Sequence, residues 1–157
     1  MIVKQSTKLD DIYDVNLRSA SSYSGICIYE LGSLDELIGM QRAEAIRQEL
    51  LKNEIKTRQL TNHVQLKAWT ELNDLMAQQQ IRFIPEDILA ITREILIFND
   101  IVAMYRKAPK IDYFEIQDIT NAHIMRQFFE NLWDQAQVMK LNQGGAATLN
   151  NKKEVKL

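Results

Sequence analysis

The chain has a single cysteine, two prolines and five glycines in 157 residues. One cysteine excludes an intramolecular disulfide. Cys27 sits in the apolar run Ile26-Cys27-Ile28-Tyr29 with no cation beside it in sequence, which is the setting of a buried, unreactive thiol. No stretch approaches about 18 consecutive apolar residues, so no membrane-spanning helix is expected. The opening Met1 to Thr7 lacks a basic-then-apolar targeting pattern, and the expected location is the cytoplasm. Charge of one sign is lacking as well: 19 Lys and Arg against 21 Asp and Glu give a net charge of −2. A chain that holds a phosphate backbone by itself carries a basic excess, so direct nucleic-acid binding is not expected. His, Cys, Asp and Glu do not cluster at metal-ligand spacing; Asp11 and Asp14 read as a solvated helix face. No metal and no cofactor are expected.

What is present is an ordinary globular composition, 46% hydrophobic and 25% charged, at the length of one domain with one sizeable core. Leu9, Ile12, Tyr13, Leu17 and Ala20 recur at helical spacing over 8–20. The β-branched run Ile26 to Tyr29 reads as a buried strand. Ser33-Leu34-Asp35-Glu36 is a capping box behind Gly32, and the helix it opens is expected to run to about Lys52 or Glu54. Ile55 to Leu60 alternates weakly as a strand. Asn62 and Gln65 occupy the positions of a second box, followed by an expected helix to about Gln79 with Leu66, Trp69, Leu72 and Met76 on one stripe. Ile81 to Ile84 is a strand stopped by Pro85. The runs Glu94 to Phe98 and Ile101 to Tyr105 around Asn99-Asp100 read as a hairpin, and Asp112 to Ile116 as one more strand. A last helix, with Thr120 as its cap, carries a wide apolar stripe from Ile124 to Ala136. The fold expected is α/β, a mixed sheet that is parallel in the first half and antiparallel at the second-half hairpin, flanked by helices. The domain is expected over 8–141, and 142–157, with its Gly144-Gly145 and Asn150-Asn151-Lys152-Lys153, reads as a disordered tail.

Three segments carry a resemblance: Ile81-Arg82-Phe83-Ile84-Pro85, the hairpin Glu94 to Tyr105, and the helix ending Phe128-Phe129-Glu130-Asn131-Leu132-Trp133-Asp134-Gln135-Ala136. Together with the helix running into Arg47 to Arg58, they resemble the C-terminal sensor domain of TrmB-type transcriptional regulators, over about 8–139. The resemblance implies one half of a phospholipase D-like fold. It also implies a ligand-sensing or protein-interaction role, with a sugar or polyol as the small-molecule ligand and a homodimer or partner regulator as the assembly. The winged-helix DNA-binding domain that usually accompanies such sensors has no counterpart in the chain.

Phospholipase D-type enzymes use a histidine-x-lysine-x4-aspartate motif, in which the histidine attacks phosphorus and the lysine holds the phosphoryl oxygens. In the register the resemblance implies, Thr92 stands at the histidine position, Glu94 at the lysine position and Asn99 at the aspartate position. Threonine does not replace an imidazole, and a carboxylate repels a phosphate. The chain is therefore expected not to be an enzyme. Arg82, Thr92, Glu94 and Asn99 are the candidate ligand-binding residues, Glu94 accepting hydrogen bonds from a polyol at the end of the sheet. The alternative is a phosphodiesterase or nuclease-like hydrolase of the same superfamily with a degenerate or non-standard site, drawing on Glu94, His123 or Asp100. His63 and His123 both read as helix-start residues. The basic positions from Arg42 to Lys67 alternate with Glu44, Glu49 and Glu54, as in a salt-bridged exposed helix face.

Overall fold

The computed structural model describes residues 1–149. Among the described residues, ten strands form one mixed sheet: β1 (Ile2–Ser6), β2 (Ile26–Glu30), β3 (Thr57–Thr61), β4 (Gln65–Leu66), β5 (Gln79–Phe83), β6 (Glu94–Phe98), β7 (Ile101–Arg106), β8 (Asp112–Gln117), β9 (Gln137–Leu141) and β10 (Ala147–Leu149). Their order across the sheet is β1-β8-β7-β6-β2-β3-β5-β9-β10-β4. β2, β3 and β5 run parallel, and the hairpin β6–β7 is antiparallel to β2 and to β8. This is the mixed sheet the sequence implies.

Helices cover both faces, and side-chain alternation along the strands divides the core accordingly. On one face Ile26, Leu96, Phe98 and Tyr105 pack under α1 (Leu9–Ser19), α2 (Leu34–Ile38) and α3 (Met40–Lys52), through Ile12, Val15 and Ile46. On the other, Tyr29, Leu60, Ile97 and Val102 pack under α4 (Ile119–Gln135), through Ala122, Phe129 and Trp133.

The capping box at Ser33 forms on its hydroxyl side, which accepts the Glu36 amide at 3.2 Å. The single long helix expected beyond it is instead two, because Gly39 turns the chain at φ 92° between α2 and α3. The cap of α4 is Asp118, whose carboxylate takes the Asn121 amide at 2.9 Å; Thr120 lies inside the helix. Ile124 and Phe128 of the expected apolar stripe face outward.

The helix expected from Asn62 to Gln79 does not form. Asn62 spends its side chain on the 84–91 loop, donating to the carbonyls of Ile84 and Leu89 and accepting the Ile91 amide, each at 2.8 Å. Leu66 pairs with Ala147, and the Trp69 amide bonds the Gly144 carbonyl at 2.8 Å. Tertiary partners here outweigh local propensity. Only a 3-10 stretch, Asn73–Gln78, remains helical.

Ordered structure also lies outside the expected 8–141. β1 pairs with β8, and the stretch read as tail contains a 3-10 turn at Gln143–Gly145 and then β10 paired with β9 and β4. The tail reading of 150–157 falls outside the described residues. Gly145 makes this closure possible: it has φ 84°, and a Cβ there would stand 2.3 Å from Trp69 Cε2. Gly145→Ala is expected to destabilise the fold by about 1–3 kcal/mol, the usual cost of overpacking, read as a lower urea midpoint. An unchanged midpoint would show that this segment contributes nothing to the fold.

Candidate functional site

The parallel strands β2 and β3 end side by side, and β6 begins beside them. The carboxyl edge of parallel strands is where α/β sheets hold ligands. Here the edge presents Glu30, the last residue of β2, next to Thr61, the last of β3, with Glu94, the first of β6, on the other side. All three side chains are buried. They stand at or beside the mouth of a cleft of about 650 Å³ between the sheet and α3.

His63 leans over Glu30 from the turn after β3. Its Nδ1 is 3.1 Å from Glu30 Oε2 and 3.1 Å from Thr61 Oγ1. The Thr61 hydroxyl donates to the same Glu30 oxygen at 2.7 Å and accepts the His63 amide at 3.0 Å. The carboxylate therefore assigns the proton to Nδ1, leaving Nε2 with a free lone pair. The side chain is half exposed at the cleft mouth. A histidine oriented in this way can act as nucleophile or general base.

Glu94 accepts the Leu31 amide at 3.3 Å. Burial holds its carboxyl well above the usual carboxylate range, the charge of Glu30 raises it further, and the amides of Leu31 and Gly32 oppose both. The group is thus set up to keep its proton, and a neutral carboxyl can donate a hydrogen bond. Behind it the Tyr105 hydroxyl, also raised by burial, accepts from Asn16 Nδ2 at 3.0 Å.

A carboxyl raised in the folded state contributes stability that is fully present below its unfolded value and lost as pH climbs through the folded value. Glu94→Gln is expected to match the wild type at acid pH. Toward neutral pH it should become more stable by on the order of 1 kcal/mol, measured as thermal midpoints across pH. A gap that does not change with pH would show that Glu94 ionises as an ordinary glutamate.

One wall of the cleft is held by Arg47, almost wholly buried. It donates to the Trp69 carbonyl at 2.6 Å, lies 2.9 Å from Asp35 and 3.5 Å from Glu44, and stacks over the Trp69 ring. Lys67 stands exposed at the rim and, among the described residues, forms no ion pair.

Of the four residues singled out from sequence, only Glu94 lines this cleft. Arg82 lies on the opposite face, donating to the Trp133 carbonyl at 2.8 Å and stacking on that ring. Thr92 is exposed in the loop before β6. Asn99 sits at φ 52° in the hairpin turn at the far end of the sheet, where its Oδ1 accepts from Ser22 Oγ and the Tyr23 amide. The four do not converge. His123 is likewise exposed on α4. Sequence reasoning missed Glu30, Thr61 and His63; the available signal was an acid closing one apolar strand and a Thr-x-His closing the next. Among the described residues there is no cluster of three or more potential metal ligands, and no helix is long and apolar enough to cross a membrane.

No protein-family model matches the chain, and no curated protein matches it in sequence. Solved structures do match its fold. TrmBL2, an archaeal chromatin protein whose structure shows a novel mode of DNA binding, aligns over 87% of this chain at TM-score 0.53 and 13% identity. The chain spans about half of that protein, 53% of its length. Nuc from Salmonella typhimurium, a phospholipase D family member, aligns over 87% of this chain and 97% of its own at TM-score 0.55 and 11% identity. A phosphatidylserine synthase from Haemophilus influenzae aligns over 87% of this chain and 38% of its own, at TM-score 0.60 and 14% identity. The chain has a TrmB-like, phospholipase D-like half-fold. This corrects the expectation that it is not an enzyme. A phospholipase D family member and a phosphatidylserine synthase share the fold, so the fold points toward a possible enzyme.

Proposed function

We propose that the chain is a phosphodiesterase-type hydrolase of the phospholipase D-like fold with a non-standard site, in which His63 takes the role that the usual motif histidine lacks here. The observation that carries this reading is the His63–Glu30 pair at 3.1 Å, at the mouth of the cleft on the carboxyl edge of the parallel strands. The likeness to Nuc and to the synthase supports the class of reaction.

In the proposed reaction His63 Nε2 gives its lone pair to phosphorus, and the P–O bond to the leaving group breaks. The leaving oxygen takes the proton of the Glu94 carboxyl. Water then attacks phosphorus, the P–N bond returns its electron pair to the imidazole, and the proton of the water restores Glu94. Glu30 keeps the imidazole in its Nδ1–H form and stabilises the charge that develops on it. A carboxyl at position 94 is compatible with an anionic substrate because burial favours its neutral form. Lys67 at the rim is the cation placed to attract the diester.

Incubation of the full chain with bis(p-nitrophenyl) phosphate tests the reading. The expected result is saturable nitrophenolate release. No release at any pH between 5 and 9, with the chain folded, would contradict it.

A further inference from the structure

The cleft continues inward along the sheet, and its inner end differs from its mouth. Strand alternation brings Thr57 and Gln59 of β3 and Gln79 of β5 to its floor, with Thr57 paired in register to Gln79. Thr57 and Gln79 are 3% and 8% exposed. The Thr57 hydroxyl is buried without a hydrogen-bond partner. Among the described residues, the Gln59 and Gln79 carboxamides also have no hydrogen-bond partner, whereas the adjacent Gln78 is satisfied by the carbonyls of Leu50 and Ile55. Buried polar groups are nearly always paired. One buried unpaired hydroxyl, beside the half-buried Gln59 carboxamide and that of Gln79 on the same patch of floor, open to a cavity, points to a ligand that supplies the partners.

Beside this patch on the floor lie Ile26 and Ile28, in register with Thr57 and Gln59, and facing it from α3 are Ile46 and Leu50. Donors and acceptors are thus gathered along one strip, with hydrocarbon beside it on the sheet and facing it from α3. A sugar ring carries hydroxyls all round its edge and would press several of them, unpaired, against that hydrocarbon. A nucleobase has apolar faces and keeps its donors and acceptors on its edge. Carboxamides, which both donate and accept, are the side chains that read such an edge.

We infer that the inner end of the cleft is a nucleobase subsite, so that the substrate of the site proposed above is a nucleotide phosphodiester, its base on Gln59, Gln79 and Thr57 and its phosphorus at His63. This rests on the proposed hydrolase reading for the position of the phosphate, but not for the base. At about 3.3 Å per residue Gln59 lies ~7 Å and Thr57 ~13 Å along β3 from Thr61, an inward reach suited to a single nucleoside. The net charge of −2 argues against tracking a long polymer backbone, whereas a single enclosed nucleotide needs no basic face.

The test is calorimetric titration of the full chain with the four nucleosides and with 1-deoxyribose, which lacks the base. At least one nucleoside is expected to bind ten-fold or more tighter than the sugar alone. Gln59→Leu and Gln79→Leu are each expected to weaken that nucleoside ten-fold or more, with a thermal midpoint at or above that of the wild type because an unpaired amide is replaced by hydrocarbon. Equal affinity for nucleoside and sugar, or leucine variants that bind nucleoside unchanged, would overturn the inference. Nucleoside binding without any diester turnover would uphold the base subsite and sink the hydrolase reading. Diester turnover with no nucleoside preference would do the reverse.

Discussion

Replacing His63 by glutamine should lower phosphodiester turnover by about a thousandfold or more, the usual consequence of removing a nucleophile whose neighbours cannot substitute for it. The only other histidine, His123, is exposed on α4 and does not line the cleft. The loss should fall on kcat rather than KM, because the imidazole forms its bond to phosphorus only as the reaction proceeds. Glu30→Gln should cost about a hundredfold to ten-thousandfold, since the amide no longer assigns the Nδ1 proton and cannot stabilise an imidazolium. His63 is half exposed in a turn, so His63→Gln should leave the thermal midpoint within about 2 °C of the wild type, consistent with a surface substitution. A His63→Gln protein that retains more than about a tenth of the turnover would remove the imidazole from the mechanism.

The second large effect is structural and concerns the wall that shapes the cleft. Arg47→Met keeps most of the aliphatic stem and removes the charge. The Trp69 carbonyl loses its 2.6 Å donor, and Asp35 and Glu44 lose their shared cation. Breaking a buried ionic cluster from one side is expensive because the partners stay behind. Both acids are a quarter exposed, and water offsets part of the loss, so the expected cost is about 2–4 kcal/mol. At 2–4 °C per kcal/mol for a chain of this size, the midpoint should fall by roughly 4–16 °C. Arg47 also ties α3 to Trp69, so the surviving folded protein should show a raised KM with kcat less affected. A midpoint unchanged within error would mean that Arg47 contributes nothing to the wall.

Much of the fold was legible because it rests on short-range signals. The β-branched run at Ile26, the hairpin around Asn99-Asp100 and the capping box at Ser33 each specify their element through a few neighbouring residues, and each forms. The failures have two causes. Between Asn62 and Gln79 the apolar spacing is helical, yet Asn62, Leu66 and Trp69 are claimed by partners at Ile84, Ala147 and Gly144, far away in sequence. The strands β1 and β9 are largely exposed along their length, so neither carries the alternation that marks a half-buried strand. The site was less legible than the fold. Motif register led to Glu94, which does line the cleft, and also to Thr92 and Asn99, which do not. Glu30 and His63 are 33 residues apart, and no local pattern joins them; the parallel pairing of β2 and β3 does.

The most direct measurement is peptide mapping by mass spectrometry after a rapid alkaline quench of the chain mixed with bis(p-nitrophenyl) phosphate, conditions that preserve a phosphorus–nitrogen bond. The expected result is a transient nitrophenyl phosphoryl adduct on the peptide that carries His63, absent from the His63→Gln protein. Turnover accompanied by an adduct on the peptide carrying His123, or turnover that persists in the His63→Gln protein, would contradict it.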